Sequence, residues 1–168
     1  MSERIVNGSF LNGTEGWTLV IPPPRYDPDM GWTDRADVGL NQRSFPDGLP
    51  TMGISMFGAY CHAGFYQDVN FTGIDYLYVT LAGYPCFWSG EPAVNSILIN
   101  DVEVWVQQLD LYELTPVEIY TGDFTGVCRL KFDCYFESYQ TGMDVRSVST
   151  GGPTKFEPDW SLQIGDLE

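Results

Sequence analysis

Residues 128–137 read Cys-Arg-Leu-Lys-Phe-Asp-Cys-Tyr-Phe-Glu, a strict alternation of two kinds of position. Cys128, Leu130, Phe132, Cys134 and Phe136 fall on one side of an extended chain; Arg129, Lys131, Asp133, Tyr135 and Glu137 fall on the other. Side chains alternate faces along a strand, so this segment predicts a half-buried strand with its apolar side inward. Residues 75–82 repeat the period with Leu77, Val79 and Leu81. Residues 95–99 and 102–107 predict a hairpin about Asn100-Asp101, two residue types at home in tight turns. A first strand is expected over 3–10 around Ile5 and Val6, with further strands at 53–60 and 63–70, or one long strand there broken by Gly58 and Gly64, and at 117–121 and 143–149. Residues 21–52 are rich in Pro and Gly without a period and read as loop, and residues 83–93 read as a second, aromatic loop. No useful length of chain carries the 3.6-residue period of a helix. Eight or so short strands without helices predict an all-β fold, a sandwich or a barrel.

The break at Gly151-Gly152-Pro153 sets the expected organisation: one domain over 1–149 and an arm or linker over 150–168. The 168 residues suffice for one domain with a real core. Charge changes the picture more than size does. There are 23 acidic and 8 basic residues, a net charge of -15, and such a field repels phosphate backbones. Nucleic acid is therefore not an expected partner. No apolar run approaches a membrane span, and no apolar leader core stands near Met1, so neither membrane insertion nor a secretory signal is expected.

Cys61, Cys86, Cys128 and Cys134 show no metal-binding spacing. Cys128 and Cys134 lie about 20 Å apart along one regular strand, too far to bridge each other. Four free, mostly buried thiols are the expected state. His62 is the only histidine; its neighbour Cys61 would point to the opposite face of a strand, which leaves no nucleophile beside it. No nucleophile elbow, zinc-protease motif or phosphate loop occurs, and an enzyme is not expected.

A set of ordered motifs points to a family. The Asn7-Gly8-Ser9-Phe10 opening is followed by Gly16-Trp17. After it come "FYQDV" at 65–69, "ILINDVEVW" at 97–105, "TGVCRLKFDCYF" at 125–136 and "MDVRSVS" at 143–149. Together these resemble carbohydrate-binding jelly rolls of the galactose-binding-like type, over about residues 5–149. The resemblance implies an antiparallel two-sheet β-sandwich with little or no helix, and it implies that Phe10 and Trp17 are core. It also implies a structural calcium ion, for which Asp144 and the backbone around Ser9 are the candidate ligands. Leu11 stands where such modules carry a glutamate, so one charged ligand of that site is missing.

Sugars are recognised by flat rings under their C–H faces and by polar groups on their hydroxyls. Arg129, Asp133 and Tyr135 supply such a mixture on one strand face. Tyr84 and Trp88 supply rings in the aromatic loop, and Trp32 in the long one. For each of these a plainer reading stays open: a solvated strand face for the charges, and a capped core or a buried interface for the rings. Two functions follow from the sequence. One is a non-catalytic carbohydrate-binding module with a glycan or cell-surface polysaccharide as partner. The other is a structural subunit of a virion or surface assembly (decoration, tail or adhesin) that uses the same jelly roll to meet copies of itself or its neighbours. A virion or extracellular surface is the expected setting.

Overall fold

The computed structural model describes residues 3–29, 31–57, 61–84, 94–107, 111–136 and 140–153. In chain order the strands are β1 (Thr18–Val20), β2 (Arg25–Asp27), β3 (Trp32–Leu40), β4 (Met52–Phe57), β5 (Cys61–Asn70), β6 (Tyr76–Tyr84), β7 (Val94–Ile99), β8 (Val102–Val106), β9 (Leu111–Tyr120), β10 (Val127–Phe136) and β11 (Gln140–Ser149). They pair antiparallel into a five-stranded sheet of order β1-β5-β10-β7-β8 and a six-stranded sheet of order β2-β3-β4-β11-β6-β9. The protein is an all-β sandwich, with no helix among the described residues.

The alternation of 128–136 does what its period demands. Cys128, Leu130, Phe132 and Cys134 are buried between the sheets, and β10 is central, paired to β5 on one side and β7 on the other. Phe132 stacks on Phe65 with ring centroids 4.9 Å apart, and Trp17 meets both rings edge-on. Cys128 and Cys134 are buried thiols of this core. The side chains of Cys61 and Phe136, and all of Cys86, lie outside what is described.

The opening Asn-Gly pair is a folding device. Asn7 adopts a positive φ of 50°, a conformation asparagine tolerates better than most residues. Its Nδ2 donates to the Gly13 and Glu15 carbonyls, and its Oδ1 accepts from Asn12 N–H. The Trp17 indole donates to the Asn7 carbonyl at 3.2 Å. This knot delivers Phe10 and Trp17 to the core, 1% and 7% exposed. The first expected strand is thus replaced by turns. Residues 3–10 are held instead by side chains from elsewhere: Gln67 accepts from Val6 N–H and donates to the Val6 and Gly16 carbonyls.

Residues 21–52 are not all loop, because β2 and β3 lie within them. In β3 the inward positions are Asp34, Ala36, Val38 and Leu40, and this polar residue, with Asp and Gly between the apolar ones, weakens the local signal. The strand exists because Arg35–Leu40 pairs with β4. Strand β9 is likewise longer than expected, since it runs through Pro116. An edge strand accepts proline because one side of its ladder is unpaired. In β11 the register shifts between Val145 and Ser147. This bulge keeps both Val145 and Val148 in the core and leaves Arg146 as the extra residue.

Residues 41–51 cross back over the six-stranded sheet and are pinned there. Arg146 makes a two-pronged ion pair with Asp47, at 2.5 and 2.8 Å. Its guanidinium also sits 5.6 Å from the Phe45 ring centroid. Asn41 and Thr51 close the base of the strap through the Asn41 N–H to Thr51 carbonyl bond and the Thr51 N–H to Asn41 Oδ1 bond.

Candidate binding face

The five-stranded sheet turns one face to the core and leaves the other outward. The β5–β10 register puts four pairs on that outward face: Asp68 with Arg129, Tyr66 with Lys131, Gly64 with Asp133, and His62 with Tyr135. Strand β7 continues the rows with Leu98 beside Lys131 and Ser96 beside Asp133. Three of the residues expected at a site, Arg129, Asp133 and Tyr135, therefore do share one surface. The structure adds His62, Tyr66 and Asp68, which come from the neighbouring strand β5.

The geometry is a chain of engaged charges and rings. Arg129 Nε donates to Asp68 Oδ1 at 2.9 Å and its terminal nitrogen donates to Oδ2 at 3.3 Å. The same guanidinium lies 4.1 Å from the Tyr66 ring centroid, close enough for cation–π attraction. The hydrogen-bonded Arg129 guanidinium holds the Asp68 carboxyl below its usual range, and Asp68 in turn raises the Arg129 pKa. Further along, Lys131 Nζ is 3.0 Å from Asp133 Oδ1, and His62 Nδ1 is 2.6 Å from Asp133 Oδ2. The His62 ring sits 4.5 Å from that of Tyr135, tilted by 33°. Asp133 corrects the expectation of an open polar face. It is 4% exposed and lies beneath Lys131 and His62. A carboxylate opposite a glycine on a central strand has no side chain across from it, so longer neighbours close over it.

At the Arg129 end the face opens into a cleft of about 350 Å³ lined by Asp68, Asn100, Asp101, Val127, Cys128 and Arg129. Asn100 and Asp101 both have positive φ, 49° and 63°, the hairpin turn that their types favour. Asn100 Oδ1 accepts from Arg129 N–H at 2.8 Å, which locks this turn to β10.

Tyr84, Trp32, Asp144 and Ser9 are not gathered there. Tyr84 ends β6 opposite Gly142, and Trp32 begins β3 opposite Asp27, both on the six-stranded sheet. Their side chains, and the whole of Trp88, lie outside the described residues. Asp144 is buried in that sheet between Gly53 and Ala82. Ser9 lines a separate pocket of about 190 Å³ with Glu3, Ile5, Gly8, Ser147, Val148 and Ser149. Glu3 there accepts from the backbone N–H of Arg4, Ile5 and Thr150 and from the Ser149 and Thr150 hydroxyls. Burial pushes its carboxyl up, and these bonds outweigh that and hold it below its ordinary value. Asp144 and Ser9 do not meet in one pocket, and no group of three or more acidic, Cys or His side chains is gathered for a metal among the described residues.

Among the described residues no helix is long and apolar enough to cross a membrane. No protein-family model matches the chain, and no curated protein matches it in sequence. Solved structures do match in fold. The enzymatically active domain of bacteriophage CBA120 tailspike protein 4 superposes with a TM-score of 0.52 at 12% identity, over 88% of this chain and 21% of that one. The present chain thus spans about a fifth of the tailspike chain. The family 11 carbohydrate-binding module of a Clostridium thermocellum cellulosomal cellulase matches with a TM-score of 0.50 at 10% identity, over 94% of this chain and 99% of the module. A CBM22-1 xylan-binding domain from Paenibacillus barcinonensis matches with a TM-score of 0.50 at 11% identity, over 84% and 89% of the two chains. The protein carries a jelly-roll β-sandwich of the kind seen in carbohydrate-binding modules.

Proposed function

We propose that the chain is a non-catalytic carbohydrate-binding module whose binding surface is the outward face of the five-stranded sheet. The observation that carries this reading is the run of rings and hydrogen-bonding groups from Asp68 through Arg129, Tyr66, Lys131 and Asp133 to His62 and Tyr135. Rings take the C–H faces of a sugar, while the engaged cations offer their remaining N–H groups to its hydroxyls. Each cation on this face already holds a carboxylate, and the chain as a whole is strongly acidic. Neutral glycans are therefore the expected class. A glycan array that includes xylan oligosaccharides and bacterial surface polysaccharides, followed by calorimetry, tests the reading. Tyr135→Ala and Arg129→Ala should each weaken binding by about tenfold with an unchanged melting curve. Wild-type affinity in both variants would remove the face from consideration.

Trp88, Tyr84 and Trp32 stay in the proposal as candidate ligand rings. Trp88→Ala tests the first of them: weaker glycan binding with an intact fold supports it, and unfolding or loss of an oligomer assigns the ring elsewhere. Calcium rests on the family resemblance alone. A structural ion would make the melting temperature fall on adding chelator, through mass action on the native state, and Asp144→Asn would abolish that sensitivity. Superimposable melts with and without chelator would dispose of the ion.

A second reading, a subunit of a virion or surface assembly, has its own support. Tyr76, Tyr78 and Tyr120 cluster on the six-stranded sheet, with Tyr76 and Tyr120 at 5.7 Å between centroids and Tyr120 56% exposed. The fold match to a tailspike domain points the same way. Light scattering decides it: an oligomer that Tyr120→Lys dissociates favours assembly, and a monomer at high concentration favours the module.

A further inference from the structure

The glycan-binding reading says which face acts but not what His62 does there. We infer that Asp133 holds His62 in one tautomer, with the proton on Nδ1, so that Nε2 faces outward as a neutral hydrogen-bond acceptor for a hydroxyl of the bound sugar. The inference rests on that reading and adds a specificity-determining residue to it.

Asp133 sets the arrangement. Its carboxylate is nearly sealed, and its Oδ1 faces the Lys131 ammonium at 3.0 Å. Its Oδ2 lies 2.6 Å from His62 Nδ1. An ionised carboxylate only accepts, so the hydrogen between the two belongs to Nδ1. A neutral imidazole has one proton, and with that proton on Nδ1 the Nε2 lone pair is left for another partner. The His62 side chain is 60% exposed. Tyr135 lies against the ring plane and limits how the ring can rotate. Position, tautomer and plane are then all set before a ligand arrives, as is usual where a carboxylate orients a histidine for work on its far nitrogen.

The chemistry of the rest of the face gives this acceptor its meaning. Arg129 and Lys131 only donate, and Asp68 and Asp133 are turned to them. With both carboxylates engaged, Nε2 supplies an acceptor for a donating hydroxyl beside the N–H donors of Arg129 and Lys131. A sugar hydroxyl placed beside the Tyr135–His62 tile can donate to Nε2 while its ring C–H groups rest on the aromatic surface. Asp133 acts through His62 and is a positioning residue.

Because His62 is the only histidine, its ring nitrogens can be read without ambiguity in the full chain. A long-range nitrogen–proton NMR spectrum at pH 8 should show a protonated Nδ1 and a bare Nε2. Asp133→Asn should move the proton toward Nε2, since an amide no longer demands Nδ1–H. Titration with xylohexaose, cellohexaose or the strongest array glycan, whichever calorimetry shows to bind, should shift Nε2 and leave Nδ1 protonated. His62→Phe keeps a ring over Tyr135 but removes the acceptor, and should bind that glycan about tenfold more weakly, the size of one lost hydrogen bond. If Asp133→Asn does not fold, the wild-type tautomer and the Nε2 shift decide. An Nε2–H tautomer in the wild type overturns the inference. So does a glycan that binds by calorimetry while the His62 signals stay still, and in that case the binding function itself survives. If no glycan binds at all, both fall together.

Discussion

Phe132→Ala should destabilise the protein by about 3–5 kcal/mol, the range for truncating a buried aromatic ring. Phe132 is fully buried, stacked on Phe65 and met edge-on by Trp17. Its strand is held on both sides, so the surroundings cannot collapse to fill the space: β5 and β7 flank it with fixed register. The loss combines the transfer of the ring to water with a cavity lined by two other aromatics that lose their partner. For a chain of this length the melting temperature should drop by roughly 6–20 °C. Thermal and denaturant unfolding of the variant check it, and stability within 1 kcal/mol of the wild type would mean that the ring does not fill the centre of the core.

The second large effect is at the strap. Asp47→Ala should cost about 3 kcal/mol, the lower end of what breaking a buried ion pair costs, because it removes the carboxylate that the buried Arg146 is bonded to. Arg146 is 2% exposed at its side chain while Asp47 is 45% exposed, so some water can reach the gap and the upper end is not expected. The effect has a pH signature. The hydrogen-bonded Arg146 guanidinium holds the Asp47 carboxyl below its ordinary 3.8. A carboxyl depressed in the folded state contributes stability that is present above about 3.8. That contribution is lost as pH falls from there through the lower folded value. The wild type should therefore lose stability more steeply on acidification through this window than Asp47→Ala, and the two curves should converge at the acid end. Combining Asp47→Ala with Arg146→Met should recover part of the loss, since an apolar chain of similar length buries no charge. Parallel pH curves for wild type and Asp47→Ala would show that the pair does not hold the strap.

The elements read from the chain alone are those whose signal is local. A period of two needs only neighbours, so β10 with its buried Cys128, Leu130, Phe132 and Cys134, and β6 with Leu77, Val79 and Leu81, were legible. So was the Asn100-Asp101 turn, because its backbone conformation is a property of those two residues. The misses share one cause. Strand β3 has too little apolar content to announce itself and is made by pairing with β4. Strand β9 runs through a proline that would end a central strand, and only its place at the edge allows it. Residues 3–10 looked extended, yet their hydrogen bonds go to turns, to Gln67 and to Thr150, side chains far away in sequence.

The binding face divides in the same way. The sequence by itself determined that Arg129, Lys131, Asp133 and Tyr135 point to one side of one strand, because alternation is a property of any extended chain. It also determined that the protein is acidic and all-β. Only the tertiary structure decided that β5 lies beside β10 in the register that sets Asp68 against Arg129 and His62 against Tyr135. His62 and Asp133 are 71 residues apart, and nothing local brings them together. The tertiary structure also decided that Asp133 is buried while Arg129 on the same side is exposed. Burial on a sheet face depends on what the neighbouring strands place beside a residue, here a glycine opposite and the Lys131 and His62 side chains at hand, and strand order is settled by the packing of the whole core.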